Sequence, residues 1–341
     1  MDQKPLISVI VPVYNAEASV ERTLQALCGQ TLGAIEVVAV DDGSTDGSRA
    51  MLEEWAARDD RVRVVATGNR GAFLAREAGL REARGRYVGF CDAGDVPASS
   101  MGARLLARAE ETGADIVAGA YERVMPDGSA TTEMASFGNG VRPLGPECGW
   151  LASVNTALWN KLYRAELLEH RLVLDAPPRI MEDALFLLAL YPHTRSMAFV
   201  AEPLYRYQVE DGSAMGHLDA GELDGLFAAW GLLRERVAKA APGYLALLDT
   251  AAFVHLGVSA PLMLLDLPRS EAAAALARIG RELDERFPLH RSSPFLGLAY
   301  AREHPTMGPA CMAHLLARAH LLGPALRAYR ALSKATGGAR W

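Results

Sequence analysis

The chain has 341 residues, half of them apolar, with 35 Lys and Arg against 41 Asp and Glu and a formal net charge of −6. That length exceeds what one compact core usually holds and predicts two domains, or one domain with a large appendage. The acidic balance argues against a general nucleic-acid binder, and four widely spaced cysteines (Cys28, Cys91, Cys148, Cys311) without a CxxC pair argue against a zinc or disulfide framework and fit a reducing cytosol.

In chain order, MDQKPLISVIVPVYN has only a short apolar run and reads as a first strand over Ile7 to Val13 rather than a signal peptide. Glu17 to Gly29 has helical spacing and stops at a glycine. Strands are predicted at Ile35 to Val40, Val62 to Ala66, Tyr87 to Cys91 and Asp115 to Ala120. Helices are predicted between them at Asp46 to Arg58, Gly71 to Ala83 and Pro97 to Thr112. Strands and helices alternating at this pitch imply an α/β fold with a doubly wound, mostly parallel sheet. Met125 to Pro146 is rich in Gly, Pro, Ser and Thr and breaks the pattern, with DGS at 127–129 as a turn signal. Trp159 to Leu168 and Met181 to Leu190 read as helical, and from about Leu218 onward Ala, Leu, Arg and Glu dominate, which predicts an α-helical C-terminal region. The apolar stretch Tyr244 to Leu267 is interrupted by Asp249, His255, Pro261 and Asp266 and makes a poor membrane span.

The chemistry concentrates where predicted strands end. IEVVAVDDGSTD places Asp41 and Asp42 side by side at a strand terminus, the edge at which open α/β sheets bind ligands. Gly43 to Asp46 are good turn and cap residues, but a cap alone does not account for two adjacent charges that repel each other. Pro12, Tyr14 and Asn15 end the first strand with a stiff exit, an aromatic face and an amide. Arg76, on the helix after the third strand, is within reach of a phosphate at the same edge; a solvated helix charge is the even alternative. YVGFCDAGDVP ends another strand in Asp92 and Asp95, and oxygen ligands of this kind suit a hard divalent cation shared with a diphosphate. Glu182 and Asp183 begin a helix, where the dipole favours them and where one carboxylate suits a general base.

Taken together, SVIVPVYNAEASVERTLQALCGQTL, VDDGSTDGS, NRGAFLAREAG, ARGRYVGFCDAGD, WNKLYRAELL, EDALF and LYRYQVEDGSAM resemble, in this order, the family 2 glycosyltransferases with the GT-A fold. The resemblance runs from Ser8 to Met215, and its second half is similar to the branch that builds bacterial capsule, exopolysaccharide, teichoic acid or lipopolysaccharide. It implies a GT-A domain over 1–215, with a nucleotide-sugar half at 1–120 and an acceptor half at 121–215, followed by a helical region at 216–341. It further implies that Asp42, with Asp41, meets the nucleotide base and ribose, and that Pro12, Tyr14 and Asn15 wall the base. Arg76 would sit near the phosphates, and Asp92, with Ala93, would begin the Asp-x-Asp motif that holds ribose and a Mn or Mg ion. In the acidic pair Glu182–Asp183, the Asp is the implied base. Trp159, Asn160 and Lys161 fall on the acceptor side, and Arg206 and Ser213 in the segment that covers the donor phosphates. The implied reaction is inverting transfer of a hexosyl or N-acetylhexosaminyl group from a nucleotide-diphosphate sugar, a UDP-sugar in the first place, to a glycan, lipid-linked or polyol-phosphate hydroxyl.

Two departures matter. The usual Asp-x-Asp-Asp reads Asp92-Ala93-Gly94-Asp95, so Gly94 removes the customary metal ligand; either Asp95 or Asp92 takes its place, or Arg76, Arg206 or Lys161 offsets the phosphate charge with weak or no metal. The usual Asn after Ala-Arg is Glu77. Gly94 is the motive for a rival reading, a nucleotide-sugar or glycan-binding subunit without catalysis. A phospho-receiver leaves Glu182 and Asp183 unexplained, and a nicotinamide dehydrogenase lacks GxGxxG after the first strand. Residues 301–341 hold six Lys and Arg against one acid, which suits a helix packed on the catalytic domain, a homodimer contact or a basic amphipathic helix at the inner face of the cell membrane. The expected setting is cytoplasmic.

Overall fold

A computed structural model of the chain describes residues 4–134, 137–209 and 218–336. It separates into two compact units, residues 1–144 with 156–213, and residues 145–155 with 214–341.

The first unit is built on one ten-stranded sheet. Its strands are β1 (Ile7–Val13), β2 (Ile35–Asp41), β3 (Val62–Ala66), β4 (Tyr87–Phe90), β5 (Val96–Pro97), β6 (Ile116–Val124), β7 (Ala130–Glu133), β8 (Val141–Pro143), β9 (Lys161–Arg164) and β10 (Ser196–Gln208). The order is β3-β2-β1-β4-β9-β6-β10-β5, with β7 on β6 and β8 on β10. Strands β3, β2, β1 and β4 are parallel, and β9 runs antiparallel between β4 and β6. Every residue of β2 is buried, as a β-branched run covered on both faces should be. The chain moves outward from β1 to β3 and then returns to β4 on the other side of β1. That reversal opens a crevice beyond the carboxyl ends of β1 and β4.

The pleat decides which helices meet. Ile7, Val11 and Val13 face the side covered by α1 (Val20–Cys28), α2 (Ser48–Arg58) and α4 (Met101–Thr112), through Leu24, Leu52 and Leu105. Ile10 points to the opposite face, where α3 (Ala72–Glu82) packs. A Cβ on Gly79 of α3 would lie 2.5 Å from Ile10 Cγ2, so only glycine lets this helix approach so closely. Phe90, paired with Ile10 in the sheet, meets Phe186 of α5 (Glu182–Leu190) edge to face at 5.6 Å. Helices α3 and α5 therefore share one face of the sheet, although about a hundred residues separate them.

One sequence expectation is corrected here. Trp159 to Leu168 is not a helix: Lys161–Arg164 is β9 and Ala165–His170 a 3-10 turn. The open slot between β4 and β6 supplies hydrogen bonds on both sides, and this outweighs the helical spacing. The irregular stretch after Met125 carries a hairpin, closed by Met125 N–H donating to Ser129 O at 2.8 Å.

The second unit is helical: α6 (Leu223–Ala240), α7 (Leu245–Ala252), α8 (Ala260–Leu264), α9 (Arg269–Arg286), α10 (Leu298–Glu303), α11 (Gly308–Arg318) and α12 (Leu322–Thr336). A π-helical turn, Phe253–Ser259, joins α7 to α8. The resulting helix Pro242–Leu264 is long and apolar enough to cross a membrane, but 83% of its apolar window is buried within the protein. Asp249 in its interior is fully buried, paired with Arg234 at 2.8 Å and accepting Leu289 N–H at 2.9 Å. The segment Gly145–Asn155 belongs to this unit; Trp150 N–H donates to the Tyr300 hydroxyl at 2.9 Å.

Candidate functional site

Three strand ends lie next to one another at the carboxyl edge. Val13 of β1 pairs with Asp41 of β2, and Asp42 N–H donates to Val13 O at 2.8 Å. Asn15, at φ 47°, accepts Thr45 N–H at 2.8 Å through its side-chain oxygen, tying the two loops together. Tyr14 stands 47% exposed beside them, and Pro12 is partly buried in β1. Asp41 and Asp42 are buried and already bonded. Asp41 accepts Ser44 N–H at 3.1 Å. Asp42 accepts the Thr67 hydroxyl at 2.7 Å and the N–H groups of Arg70 and Gly71 at 2.9 and 2.7 Å. Asp41 is thus held by a backbone donor in the loop before α2 and Asp42 by donors at the entry to α3, so local structure accounts for how the two charges sit side by side. Thr67 and Arg70 complete this corner and carry no motif signal by which a sequence reading finds them.

The centre of the site is Arg76. It projects from α3, 7% exposed, and bonds Asp92 at 2.9 Å, Asp183 at 3.2 Å and Glu182 at 3.3 Å. The loop after β4 supplies Asp92 and α5 supplies the other two, so one cation on α3 gathers acids from two further elements. Burial alone would lower its pKa, but Asp183, Asp92 and Glu182 raise it above the ordinary value, and Arg76 stays charged. Glu182 and Asp183 are 17% and 24% exposed. Burial raises both pKa values against the pull of Arg76. A carboxylate above its usual range, still reachable from solvent, is a suitable proton acceptor. Met181, at φ 60°, turns the chain sharply into α5 and sets this pair at its first turn.

The loop after β4 differs from its sequence reading. Gly94 has φ 106°, a region L-residues rarely adopt, and its carbonyl accepts Arg22 Nε–H at 2.5 Å. Asp95 was expected as a possible cation ligand, but its carboxylate turns inward. It accepts the Tyr205 hydroxyl at 2.8 Å and Gln208 N–H at 3.0 Å, and burial pushes its pKa up to about 7. Tyr205 also accepts Asp92 N–H at 3.1 Å, so it fixes both ends of the loop. Its alternation with Tyr207 on β10 was the available sequence signal. Ala93 is partly buried between the two acids. No group of three or more His, Cys, Asp or Glu suited to a metal ion occurs among the described residues. Asp92 alone in this loop offers a carboxylate outward, which fits a cation only where diphosphate oxygens complete its shell.

The remaining predicted residues divide. Lys161 is fully buried and bonds Ala157 O at 2.6 Å and Asn160 Oδ1 at 2.8 Å. Burial lowers its pKa to about 7, against the pull of the Asp183 charge. Asn160 is fully buried on the Gly119 carbonyl at 2.8 Å. Trp159 stacks on Tyr205 and Tyr207 at 4.5 and 5.3 Å. All three therefore support the sheet beside the site rather than presenting a free surface. Arg206 is exposed and pairs with Glu122 at 3.1 Å, outside the Arg76 cluster. Ser213 lies outside the described residues. Glu77, the second departure in the sequence, has its own counterpart: Arg171 clamps it with two contacts of 2.7 Å.

Residues 8–171 match the family model described as Glycosyl transferase family 2. The chain is 34% identical over 215 residues to the Bacillus subtilis glycosyltransferase EpsJ, covering 61% of this chain and 62% of that protein. It is 29% identical over 238 residues to the Rhizobium meliloti succinoglycan biosynthesis protein ExoO, covering 67% and 68%. Among solved structures, S. aureus TarS in complex with UDP-GlcNAc superimposes with a TM-score of 0.69 over 92% of each chain at 20% identity, a likeness of fold. The match spans less than two thirds of EpsJ.

Proposed function

Residues 8–171 belong to glycosyl transferase family 2 on a GT-A fold, and from that premise we propose that the chain is an inverting glycosyltransferase using a nucleoside-diphosphate sugar. One observation carries the reading: Arg76 gathers Asp92 and the Glu182–Asp183 pair beside the crevice at β1 and β4. Asp183 takes the proton from an acceptor hydroxyl as it attacks the anomeric carbon opposite the leaving nucleotide. Its raised pKa improves the match to that proton transfer. Arg76 orients the base and places a fixed positive charge near the donor diphosphate. Tyr14, Asn15 and the Asp41–Asp42 corner form the wall for the base and ribose. A Mn or Mg ion would be held by Asp92 and would offset charge on the leaving diphosphate.

A UDP-sugar carrying a hexosyl or N-acetylhexosaminyl group is the proposed donor, in line with the ligand of the TarS structure. The proposed acceptor is a hydroxyl of a glycan, lipid-linked or polyol-phosphate chain in bacterial surface polysaccharide synthesis, in line with ExoO. Gly94 favours one rival, a binding subunit without turnover. Calorimetry with UDP and a transfer assay over a donor panel separate the two. Asp183→Asn should bind UDP as wild type does and lose transfer by about a thousandfold or more, the scale of a lost general base with its local charge. Turnover of that variant near wild type, or a wild-type chain that binds donors and never transfers, overturns the proposal.

A further inference from the structure

Arg76 meets Asp92, Glu182 and Asp183, so a single guanidinium answers three carboxylates in a largely buried cluster. A second cation lies on the same face of the sheet. Lys161 opens β9 and is fully buried, a costly place for an ammonium unless its neighbours favour the charge.

Pleat and register fix what Lys161 faces. Leu162 joins the core on the α4 side of the sheet, so Lys161 and Tyr163 project to the opposite face, which α3 and α5 cover. There Tyr163 meets Phe186 of α5 edge to face, with ring centroids 6.1 Å apart. Asp183 precedes Phe186 by three residues, so it shares that helix face one turn nearer the start of α5. Along β9, Leu162 pairs with Gly89 and Tyr163 with Val88, so Lys161 lies nearer the carboxyl end of β4, from which Asp92 follows. Lys161 therefore comes under the first turn of α5 as Tyr163 comes under the second. Ala157 O and Asn160 Oδ1 accept its hydrogen bonds at 2.6 and 2.8 Å, and two carbonyl oxygens favour the charged form. Asp183 is the carboxylate whose charge opposes the effect of burial on Lys161, and Lys161 in turn weakens the hold of Asp183 on a proton. The groups facing Asp183 are Arg76 on α3, Asp92 in the loop after β4, Glu182 beside it on α5, and Lys161 and Tyr163 on β9.

We propose that Lys161 is a positioning residue for the transfer step, its buried ammonium acting through Asp183 to keep that carboxylate ionised and ready for the acceptor hydroxyl. The proposal builds on Asp183 as the base. Arg76 approaches the base from α3 and Lys161 from the strand below, so the carboxylate is held between two cations.

The pH dependence of transfer by wild type, Lys161→Met and Lys161→Gln tests this. Met keeps the side-chain length, Gln keeps a hydrogen-bond donor, and neither carries charge. Losing a nearby positive charge raises the pKa of Asp183, so the acidic limb of kcat should move up by about one pH unit in both variants. Transfer at pH 6 should fall about tenfold. At pH 9, where Asp183 and Lys161 have both given up their protons, the rates should converge, whereas a purely structural loss would lower them at every pH. UDP binding should match wild type throughout. If neither variant folds, carbon-13 NMR of the lysine ε-carbons decides: the chain has four lysines, and Asp183→Asn should lower the pKa of Lys161 by about one unit, because coupling between two sites is mutual. Variants that keep the wild-type profile or lose rate equally at every pH, or a Lys161 titration unmoved by Asp183→Asn, would overturn the proposal while wild-type transfer leaves the assigned activity standing. A wild-type chain that never transfers fails earlier, at Asp183 as the base, and takes the proposal with it.

Discussion

Asp95 shows how much a single carboxylate in this site depends on its surroundings. Its two oxygens accept Tyr205 O–H and Gln208 N–H, yet burial dominates and its pKa rises to about 7. The unfolded chain gives the same group an ordinary value of about 3.9. Between those values the folded protein holds a proton that the unfolded chain has released. The stability linked to Asp95 is therefore complete below about pH 4 and is lost as pH rises through about 7. A gap of about three pK units corresponds to at most about 4 kcal/mol. Urea unfolding of wild type and Asp95→Asn at pH 5 and pH 8, without divalent cations, measures it. The wild-type midpoint should fall relative to the variant at the higher pH; parallel behaviour of the two would refute the assignment. Other residues were legible only in part. Arg76 is visible in the sequence as a phosphate-reaching candidate, because it follows the third strand. Its bonds to Glu182 and Asp183 cross more than a hundred residues and follow from the pleat that puts Ile10 and Phe90 on one face.

Strands β1, β2 and β4 of the parallel half were readable because each is a short, mostly apolar run that is largely buried. Trp159 to Leu168 was not. Its spacing suits a helix, and only the vacant edges of β4 and β6 make it a strand and a tight turn. Gly145–Asn155 is the other element that sequence order conceals. It interrupts the first unit and packs with the helices of the second, with Gly149 against the Phe295 ring. A Cβ on Gly149 would fall 2.1 Å from Phe295 Cγ, an overlap that neither backbone nor ring escapes without moving. Overpacking of this kind costs about 1–3 kcal/mol. Gly149→Ala should lower the calorimetric unfolding temperature of the transition to which the helical unit belongs. The same substitution in a Phe295→Ala background should cost less, since the two ring atoms at 2.1 and 2.4 Å are gone and only the Cβ at 2.5 Å remains to be moved. Equal cost in both backgrounds would show that the contact is not what requires glycine.

Across the whole chain, charge is unevenly distributed, and the sequence shows this without the fold. The first 300 residues carry 29 Lys and Arg against 40 acids, whereas residues 301–341 carry six against one. Exposed apolar side chains gather in the same region: Met312, Leu315, Leu321 and Tyr329 are four of the eleven large hydrophobics exposed among the described residues. Basic helices with exposed apolar residues bind anionic bilayers by combining charge attraction with apolar insertion. Each Lys or Arg near such a surface contributes on the order of 1 kcal/mol, and salt screens that share. Co-sedimentation of the full chain should therefore recover it with vesicles rich in phosphatidylglycerol at low salt and release much of it at about 0.5 M NaCl, where the Debye length falls below about 5 Å. Neutral phosphatidylcholine vesicles should leave it in the supernatant. Reversing the charge of Arg318 and Arg327 together should reduce recovery severalfold while UDP binding is unchanged. Equal recovery on neutral and anionic vesicles, or recovery indifferent to those two substitutions, would assign these helices to protein contacts instead.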